Sequence, residues 1–121
     1  MHKKKTVFIS ASSSGIGFSL AKNYKLLGYN VVINGTNESK LKKASSFLKC
    51  DFFLGDLTNL LKIDELVKKL HKKYKYIDIL ICNLGNSDFN NNDKNFKHAF
   101  NYNFFPSVYL VERSKKILKK S

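Results

Sequence analysis

The apolar residues of this chain follow two spacings that alternate along the sequence. Short apolar runs occupy residues 6–10, 31–33, 52–54 and 77–82, and such runs are typical of strands buried on both faces. Between the runs, apolar residues recur every three or four positions, which indicates amphipathic helices. The alternation predicts a βαβαβαβα order and therefore a parallel sheet with helices on both faces. Because crossovers are right-handed, we expect a doubly wound α/β sheet.

Each predicted helix has an apolar face and signals at its ends. Gly28 is expected to end the first helix, Asn37 or Thr36 to cap the second, and Thr58 to cap the third. The last helix is expected over roughly residues 94–119, with an interruption near the single proline of the chain. The residues on the first three apolar faces are Ile16, Leu20, Tyr24 and Leu27, then Leu41, Ala44 and Leu48, and then Ile63, Leu66, Val67, Leu70 and Tyr74.

Length and composition indicate one globular domain over residues 1–121. The chain is 43% hydrophobic and 26% charged, which is usual for globular proteins and excludes disordered and fibrous classes. No apolar run approaches the roughly 18 residues that a membrane helix needs, so we expect no membrane segment. The basic start followed by an apolar run is similar to a signal peptide, but the serines and glycines after it favour a strand and a loop. Cys50 and Cys82 form no CxxC pair, which favours free thiols in a reducing cytoplasm.

The basic charge of the chain is a weak argument for nucleic-acid binding. Lys and Arg total 22 against 9 Asp and Glu, for a net charge of +13. Only Arg113 is an arginine, whereas sequence-specific readers use arginine for bidentate contacts with guanine. The lysines lie mostly on the polar faces of predicted helices, so we expect no specific nucleic-acid partner. Non-specific binding of nucleic acid through charge remains one hypothesis for the function.

The turn after the first strand has the composition of a phosphate-binding loop. It reads Ser10-Ala11-Ser12-Ser13-Ser14-Gly15-Ile16-Gly17, and ligands of doubly wound sheets bind beyond the carboxyl ends of the strands. Gly15 and Gly17 would let a phosphate approach the backbone and let the helix lie close to the sheet. The free N–H groups at the positive end of the helix would hold the anion. The alternative is a turn that only connects strand and helix.

Four segments together resemble motifs of the short-chain dehydrogenase/reductase family. The first turn resembles TGxxxGIG, with Ser10 for Thr and Ala11 for the first Gly, and Asp56-Leu57-Thr58 resembles the segment that contacts adenine. Cys82-Asn83-Leu84-Gly85 looks like NNAG, and Phe100-Asn101-Tyr102-Asn103 resembles the segment that carries the helix-breaking Asn. The resemblance runs from Lys5 to about Lys120. It implies a Rossmann-like doubly wound sheet of about four strands, in the order 3-2-1-4, with four helices.

The resemblance also implies roles for individual residues. A dinucleotide would be bound by Ser10, Ser12, Ser13, Ser14, Gly15, Ile16, Gly17, Thr36, Asp56, Leu57, Asn83 and Gly85. Among these, the turn would hold the pyrophosphate, Asp56 the adenine amino group with the Leu57 backbone beside it, and Asn83 would lie near the adenosine ribose and brace the sheet. Asn103 would be the catalytic Asn that holds a proton-relay water. No metal site is implied.

The end of the second strand bears on the choice between the two nicotinamide dinucleotides. A carboxylate there would bind the 2′-hydroxyl of NAD and repel the 2′-phosphate of NADP. The stretch after Ile33 has no carboxylate before Glu38, while Thr36 and Lys40 could contact a 2′-phosphate. We therefore expect NADP, with NAD as the alternative.

The catalytic Tyr and Lys of the family have no counterparts in these residues. The family uses a Tyr whose pKa is lowered by a Lys four positions later, since an unperturbed Tyr titrates near 10. The residues four positions after the six tyrosines are Gly28, Ile33, Asp78, Leu80, Pro106 and Arg113. We therefore expect the cofactor-binding half of an oxidoreductase, inactive by itself. A non-catalytic NADP(H)-binding module is the alternative.

The fourth predicted strand would lie at the edge of the sheet. Residues 77–82 are apolar apart from Asp78 and contain no lysine or proline that would blunt an edge. We therefore expect a second polypeptide, or a second copy of this chain, to pair with this strand.

Overall fold

The computed structural model describes residues 4–83 and 104–120, and these residues fold around one parallel sheet. The order of strands is β3-β2-β1-β4, and every neighbouring pair is parallel. Both the doubly wound fold and the predicted order are confirmed. The elements in chain order are β1 (Thr6–Ile9), α1 (Gly15–Leu26), β2 (Asn30–Gly35), α2 (Glu38–Leu48), β3 (Asp51–Leu54), α3 (Leu60–Tyr74), β4 (Ile79–Ile81) and α4 (Phe105–Ser114).

Alternate residues of the strands point into two separate cores. On one face of the sheet, Phe8, Val32 and Phe53 pack against residues of α3 and α4. On the other face, Val7 and Ile33 pack against α1 and α2. Because side chains alternate along a strand, burial on both faces requires the nearly continuous apolar runs that the sequence shows.

The helix ends follow local rules, with one correction. Gly28 ends α1 with φ +89°, and its N–H donates to the carbonyl of Lys25, as predicted for a glycine after the C-terminus. Asn37 caps α2 by accepting from the N–H of Lys40. The prediction that Thr58 caps α3 is wrong: the cap is Asn59, whose side chain accepts from the N–H of Leu61. Thr58 instead bonds back to Asp56 within the preceding turn.

The predicted apolar faces of α2 and α3 are confirmed, but that of α1 is only partly right. Ile16 and Leu27 are 74% and 72% exposed, while the buried residues of α1 are Gly17 and Ala21. Small residues let the helix axis approach the sheet, so the line of closest approach runs along them and not along the large apolar side chains. Helical periodicity alone cannot distinguish these two lines.

The fourth strand is shorter than predicted, and its edge is partly covered. Ile77 lies outside β4 and forms a parallel bridge with Leu118. The N–H of Ile77 donates to the carbonyl of Ile117, and the N–H of Lys119 donates to the carbonyl of Ile77, both at 2.8 Å. The expectation of a wholly unpaired edge over residues 77–82 is therefore wrong at its first residue, because the segment after α4 returns beside it.

The last helix begins at the proline. Within the described residues it spans Phe105–Ser114, with Pro106 in its first turn, where the missing N–H and fixed φ of proline are tolerated. Residues 94–103 of the predicted helix lie outside the described residues. Its predicted end near residue 119 is wrong, because the helix ends at Ser114 and Leu118 forms the bridge with Ile77. None of the helices within residues 4–83 and 104–120 is long and apolar enough to cross a membrane.

Candidate functional site

The carboxyl ends of all four strands are joined by backbone hydrogen bonds. The N–H of Ser12 donates to the carbonyl of Asn34 at 2.7 Å, and the N–H of Ser10 donates to that of Ile81 at 3.0 Å. Gly55, after β3, donates to Gly35 at 3.0 Å. The turns that carry the predicted site residues therefore share one edge of the sheet.

Gly15 and Gly17, which follow β1 at the start of α1, have different structural roles. Gly15 has φ +62°, a conformation that favours glycine, and a Cβ built on it would meet no atom within 4 Å. A Cβ at Gly17 would lie 2.6 Å from the carbonyl oxygen of Ala11 and 2.8 Å from Cα of Ser12. Gly17 thus permits close packing of helix and turn, whereas Gly15 leaves open space above the backbone.

The N-terminus of α1 is suited to an anion. Ser14 is the N-cap residue, but its side chain makes no capping hydrogen bond, and the first turn of the helix contains no acidic residue. Ser14, Gly15 and Ile16 are exposed. The first N–H groups of a helix have no intrahelical partner and carry a partial positive charge. An exposed helix end without a competing carboxylate fits the pyrophosphate of a dinucleotide.

Two serines of the turn face the interior. Ser10 and Ser12 are both fully buried. The hydroxyl of Ser10 accepts from the N–H of Asn83 at 2.7 Å, and that of Ser12 donates to the carbonyl of Ile9 at 2.7 Å. Both residues therefore support the turn from the interior and present no surface to a ligand, whereas Ser14, Gly15 and Ile16 are exposed. Ser13 is half-buried, beside Gly35.

Ala11 occupies the position at which the sequence departs from the glycine of the family motif. Its φ is +48°, a left-handed conformation that costs an alanine about 1–2 kcal/mol because Cβ crowds the carbonyl oxygen. Asn83 lies beside it, and its side-chain Nδ2 donates to the Ala11 carbonyl at 3.1 Å. The predicted bracing role of Asn83 thus has a direct contact in the structure.

Asn34 is a site residue that sequence reasoning missed. Its side chain is 2% exposed, accepts from the N–H of Ala11 at 3.0 Å and donates to the carbonyls of Phe53 and Gly55. The available signal was a polar residue directly after the apolar run that ends with Ile33. If that residue is buried, its side-chain amide needs hydrogen-bonding partners, and these come from neighbouring segments.

The turn after β3 is organised by its own residues. Oδ1 of Asp56 accepts from the N–H and the hydroxyl of Thr58, at 2.9 and 2.7 Å. Asp56 is exposed, so its carboxylate is accessible to an adenine amino group. Leu57 as a whole residue is 1% exposed, so it belongs to the core and presents almost no surface to a ligand.

At the end of β2 the nearest carboxylate is already paired. Thr36 is exposed, while Glu38 lies in the first turn of α2, where its side chain contacts Nζ of Lys42 at 2.7 Å. The hydrogen bond and the charge of Lys42 lower the pKa of Glu38 below its ordinary value. Its negative charge is therefore partly compensated.

Some predicted residues cannot be placed. Gly85 and Asn103 lie outside the described residues. Cys82, which replaces the first Asn of the family motif, is half-buried, and burial raises the pKa of its thiol. A neutral thiol at the end of β4 is a packing residue and not a nucleophile.

Comparison with known proteins gives a family for this fold. A family model described as short chain dehydrogenase matches residues 5–121. The 3-oxoacyl-[acyl-carrier-protein] reductase of Rickettsia prowazekii is 40% identical over 81 residues, which cover 67% of this chain and 33% of the relative. The Dictyostelium discoideum dehydrogenase/reductase SDR family protein 7-like is 39% identical over 95 residues, covering 69% and 30%. The chain thus spans about a third of the length of these curated relatives.

A solved structure shows the same architecture. A Shigella flexneri protein described as a short chain dehydrogenase, in complex with NADP, superposes with a TM-score of 0.85 at 22% identity, covering 97% of this chain and 54% of that one. At this identity the likeness establishes the fold. Together with the family match over residues 5–121, it leads to one conclusion: the chain belongs to the short-chain dehydrogenase/reductase family of oxidoreductases.

Proposed function

We propose that this chain binds NADP(H) as the cofactor-binding half of a short-chain reductase and does not transfer hydride by itself. The observation that carries the proposal is the open turn at Gly15, beside a helix N-terminus whose first turn contains no carboxylate. In this proposal residues 1–121 are one partial dinucleotide-binding domain. The bound nicotinamide would supply or accept the hydride.

The residues at the carboxyl edge take the roles that their contacts permit. The backbone of Ser13 and Gly15 would hold the pyrophosphate with the N-terminal residues of α1. Ser12, which the family resemblance also assigns to the pyrophosphate, would support them from the interior, since its N–H already donates to the Asn34 carbonyl. Asp56 would accept from the adenine amino group through its exposed carboxylate. Further members of the proposed site are Ser14, Ile16, Gly17, Leu57, Asn83 and Gly85, with Asn103 as the catalytic Asn.

NADP is favoured over NAD by the end of β2. No carboxylate precedes Glu38 there, and Glu38 contacts Lys42. The hydroxyl of Thr36 is available to donate to a 2′-phosphate, and Lys40 supplies a nearby positive charge. The NADP bound to the Shigella flexneri relative supports the same choice.

Hydride transfer would need groups beyond these residues. None of the six tyrosines is followed by a lysine four positions later, and the only cation at that spacing is Arg113, after Tyr109. Arg113 contacts Asp64 on α3 and lies over the ring of Tyr109, which makes this a contact between helices. Arginine also cannot release its proton as a lysine can. A non-catalytic NADP(H)-binding module is the alternative, and the same absence supports it.

The partner that completes the protein would pair with β4. This strand lies at the end of the sheet order, and the parallel bridge of Leu118 with Ile77, just before the strand, supports pairing on its outer side. We propose that a second polypeptide or a second copy of this chain continues the pairing along Ile79–Ile81. The free, half-buried thiols of Cys50 and Cys82 support a reducing compartment, which we take to be the cytoplasm.

Fluorescence titration with NADPH and NADH tests the proposal. We expect saturable binding, tighter for NADPH, and no oxidation of NADPH with a 3-oxoacyl thioester, the substrate class named by the Rickettsia relative. Thr36→Asp should reverse the preference, because its carboxylate would repel the 2′-phosphate. Ser46→Asp, the same change of charge at an exposed position of α2, should leave the preference as it is.

Each part of the proposal can fail separately. Tighter binding of NADH would overturn the choice of NADP. Turnover by the chain alone would overturn the proposal that hydride transfer needs a Tyr and Lys pair that these residues lack. RNA binding with a steep salt dependence, unaffected by dinucleotide, would favour charge-driven nucleic-acid binding instead. A monomer in sedimentation at high concentration, with the amides of residues 79–81 protected from exchange, would argue against the partner strand.

A further inference from the structure

Both polar backbone groups of Ala11 are bound by side chains from other strands. Its N–H donates to Oδ1 of Asn34 at 3.0 Å, and its carbonyl accepts from Nδ2 of Asn83 at 3.1 Å. Asn34 lies near the end of β2, 23 positions after Ala11, and Asn83 follows β4, 72 positions after Ala11. We call this arrangement of Asn34, Ala11 and Asn83 the asparagine clamp.

The clamp acts on a residue whose conformation is unfavourable. Ala11 has φ +48°, so its Cβ opposes the backbone that the turn requires. A glycine would adopt this backbone without strain, but an alanine needs the surrounding structure to impose it. The two side-chain amides supply that constraint, because each hydrogen bond is lost if the peptide groups of Ala11 rotate away.

Asn34 is fitted for this role by its surroundings. Its side chain is 2% exposed, so it does not itself present a surface to a ligand. Its two amide hydrogens are directed to the carbonyls of Phe53 and Gly55, at 3.0 and 3.1 Å, which leaves Oδ1 for Ala11. Since its donors and acceptor are engaged, the amide is fixed in one orientation relative to three strands.

We propose that Asn34 is a positioning residue for the dinucleotide turn: with Asn83, it imposes the left-handed backbone at Ala11 that aims the turn and the N-terminus of α1 at the pyrophosphate. This inference rests on the proposed function for its ligand, but the clamp itself belongs to the free chain. It explains how alanine can stand where the family motif has glycine. It also assigns a role to a residue that none of the recognised motifs contains.

A double-mutant cycle with Ala11→Gly tests the clamp. In the natural chain, Asn34→Ala should weaken NADPH binding by about tenfold, as expected when a buried hydrogen-bonding partner is removed. In the Ala11→Gly background the same substitution should weaken it by only about threefold, since glycine keeps the turn without help and only the brace to β3 is lost. Asn83→Ala, which retains its backbone bond to the Ser10 hydroxyl, repeats the cycle if Asn34→Ala fails to fold.

Asn30→Ala is the matched control. Asn30 lies on the same strand at the opposite end of the sheet, where its side chain donates to the Thr6 hydroxyl. Asn30→Ala should leave the NADPH affinity of the natural chain unchanged, and it should likewise leave that of the Ala11→Gly variant unchanged. Equal losses for Asn34→Ala in both backgrounds would overturn the positioning role and leave only a general structural one.

Hydrogen exchange in the dinucleotide-free chain separates this inference from the proposed function. The Ala11 amide should be protected in the natural chain and in Asn30→Ala, and should exchange at least about tenfold faster in Asn34→Ala. If NADPH does not bind but this protection pattern holds, the proposed function fails and the clamp stands. If NADPH binds and the Ala11 amide is unprotected in the natural chain, the clamp fails and the function stands.

Discussion

At the carboxyl end of the sheet, neutral side chains join the strand ends near α1. At the amino end, the carboxylates of Asp78 and Asp51 make contacts as well, beside the neutral contact of Asn30 with Thr6. Ser10 and Asn34 make the carboxyl-end contacts, which are buried and uncharged. At the amino end, the carboxylate of Asp78 accepts from the N–H of Thr6 at 2.7 Å. Asp51, the first residue of β3, is bound by both Lys73 and Tyr74 at the end of α3.

The difference follows from what each end must accommodate. A carboxylate among the strand ends near α1 would cancel the positive potential of the helix N-terminus and repel a phosphate. Amides and hydroxyls can tie the same strands without that cost. At the amino end no anion is expected to bind, so carboxylates can accept strand N–H groups and pair with lysines. The contacts near the N-terminus of α1 thus use no carboxylate, which suits an anion, while the carboxylate of Asp56 lies in the turn after β3.

The largest effect on the free energy of unfolding is expected at Gly17, where α1 packs closely against the turn after β1. Gly17→Val would place Cβ 2.6 Å from the Ala11 carbonyl oxygen, so the turn must move. We expect a loss of about 3 kcal/mol in the free energy of unfolding, together with loss of saturable NADPH binding. Urea unfolding and the fluorescence titration measure the two effects.

Ser19→Val is the control for Gly17→Val, because Ser19 is an exposed residue of the same helix. It should change the free energy of unfolding by no more than about 0.5 kcal/mol. Similar losses from the two substitutions would mean that valine disfavours the helix itself and that the contact with the turn is unimportant.

A smaller loss of stability is expected from removing one uncharged side chain that joins β1 and β2 at their carboxyl ends. The hydroxyl of Ser12 donates to the carbonyl of Ile9 and accepts from the N–H of Asn34, so Ser12→Ala removes two buried hydrogen bonds. The free energy of unfolding should fall by about 1–3 kcal/mol. The loss should be the same at pH 4 and pH 7, since neither group titrates there. Ser46→Ala, at an exposed position, should have no measurable effect in urea unfolding.

The smallest effect is expected at the amino end, and it should depend on pH. Burial opposes ionisation of Asp51, but the hydrogen bonds from Lys73 and Tyr74 outweigh it and lower its pKa below the ordinary 3.8. The folded chain therefore binds this proton less tightly than the unfolded chain. The contact stabilises the fold above about pH 4, and its contribution is lost as the pH falls through the lowered pKa.

Tyr74→Phe removes one of the two hydrogen bonds to Asp51. The free energy of unfolding should then fall less between about pH 4 and pH 2 than it does in the natural chain, by a few tenths of a kcal/mol because the pair is partly exposed. NADPH binding at pH 7 should be unchanged. Tyr24→Phe, a matched change in α1, should leave the acid slope as it is. An altered NADPH affinity in Tyr74→Phe would break the distinction between the two ends.

Periodicity and turn chemistry were sufficient to predict a doubly wound α/β sheet, whereas the strand order 3-2-1-4 followed from the family resemblance. The apolar runs gave the strands, and the parallel order followed from the helices between them, because such crossovers have one hand. What failed was local: the cap of α3 is Asn59, next to the predicted Thr58, and the inner face of α1 runs through Gly17. Caps at adjacent polar residues, and faces made of small residues, are decided by packing that a single sequence does not display.

The family resemblance named side chains such as Asp56 and Asn83 for the candidate site, whereas the residues by themselves indicated only the glycine-containing turn. Gly15 and Gly17 announced the turn because glycine marks left-handed or closely packed backbone. The role of Asn34 was hidden, since its three side-chain partners come from Ala11, Phe53 and Gly55, in two other segments. The local signal, a polar residue directly after the apolar run that ends with Ile33, does not identify these distant partners.

The dependence of Ala11 on Asn83 also constrains the order in which the protein can be made. The contact spans 72 positions, so during synthesis the first turn must wait for the fourth strand to leave the ribosome and join the sheet. Contacts this distant form late, after nearer segments have associated. The clamp therefore makes dinucleotide affinity a report on completed folding: a nascent or partly folded chain would have its first helix and strand, yet would not compete for the cofactor.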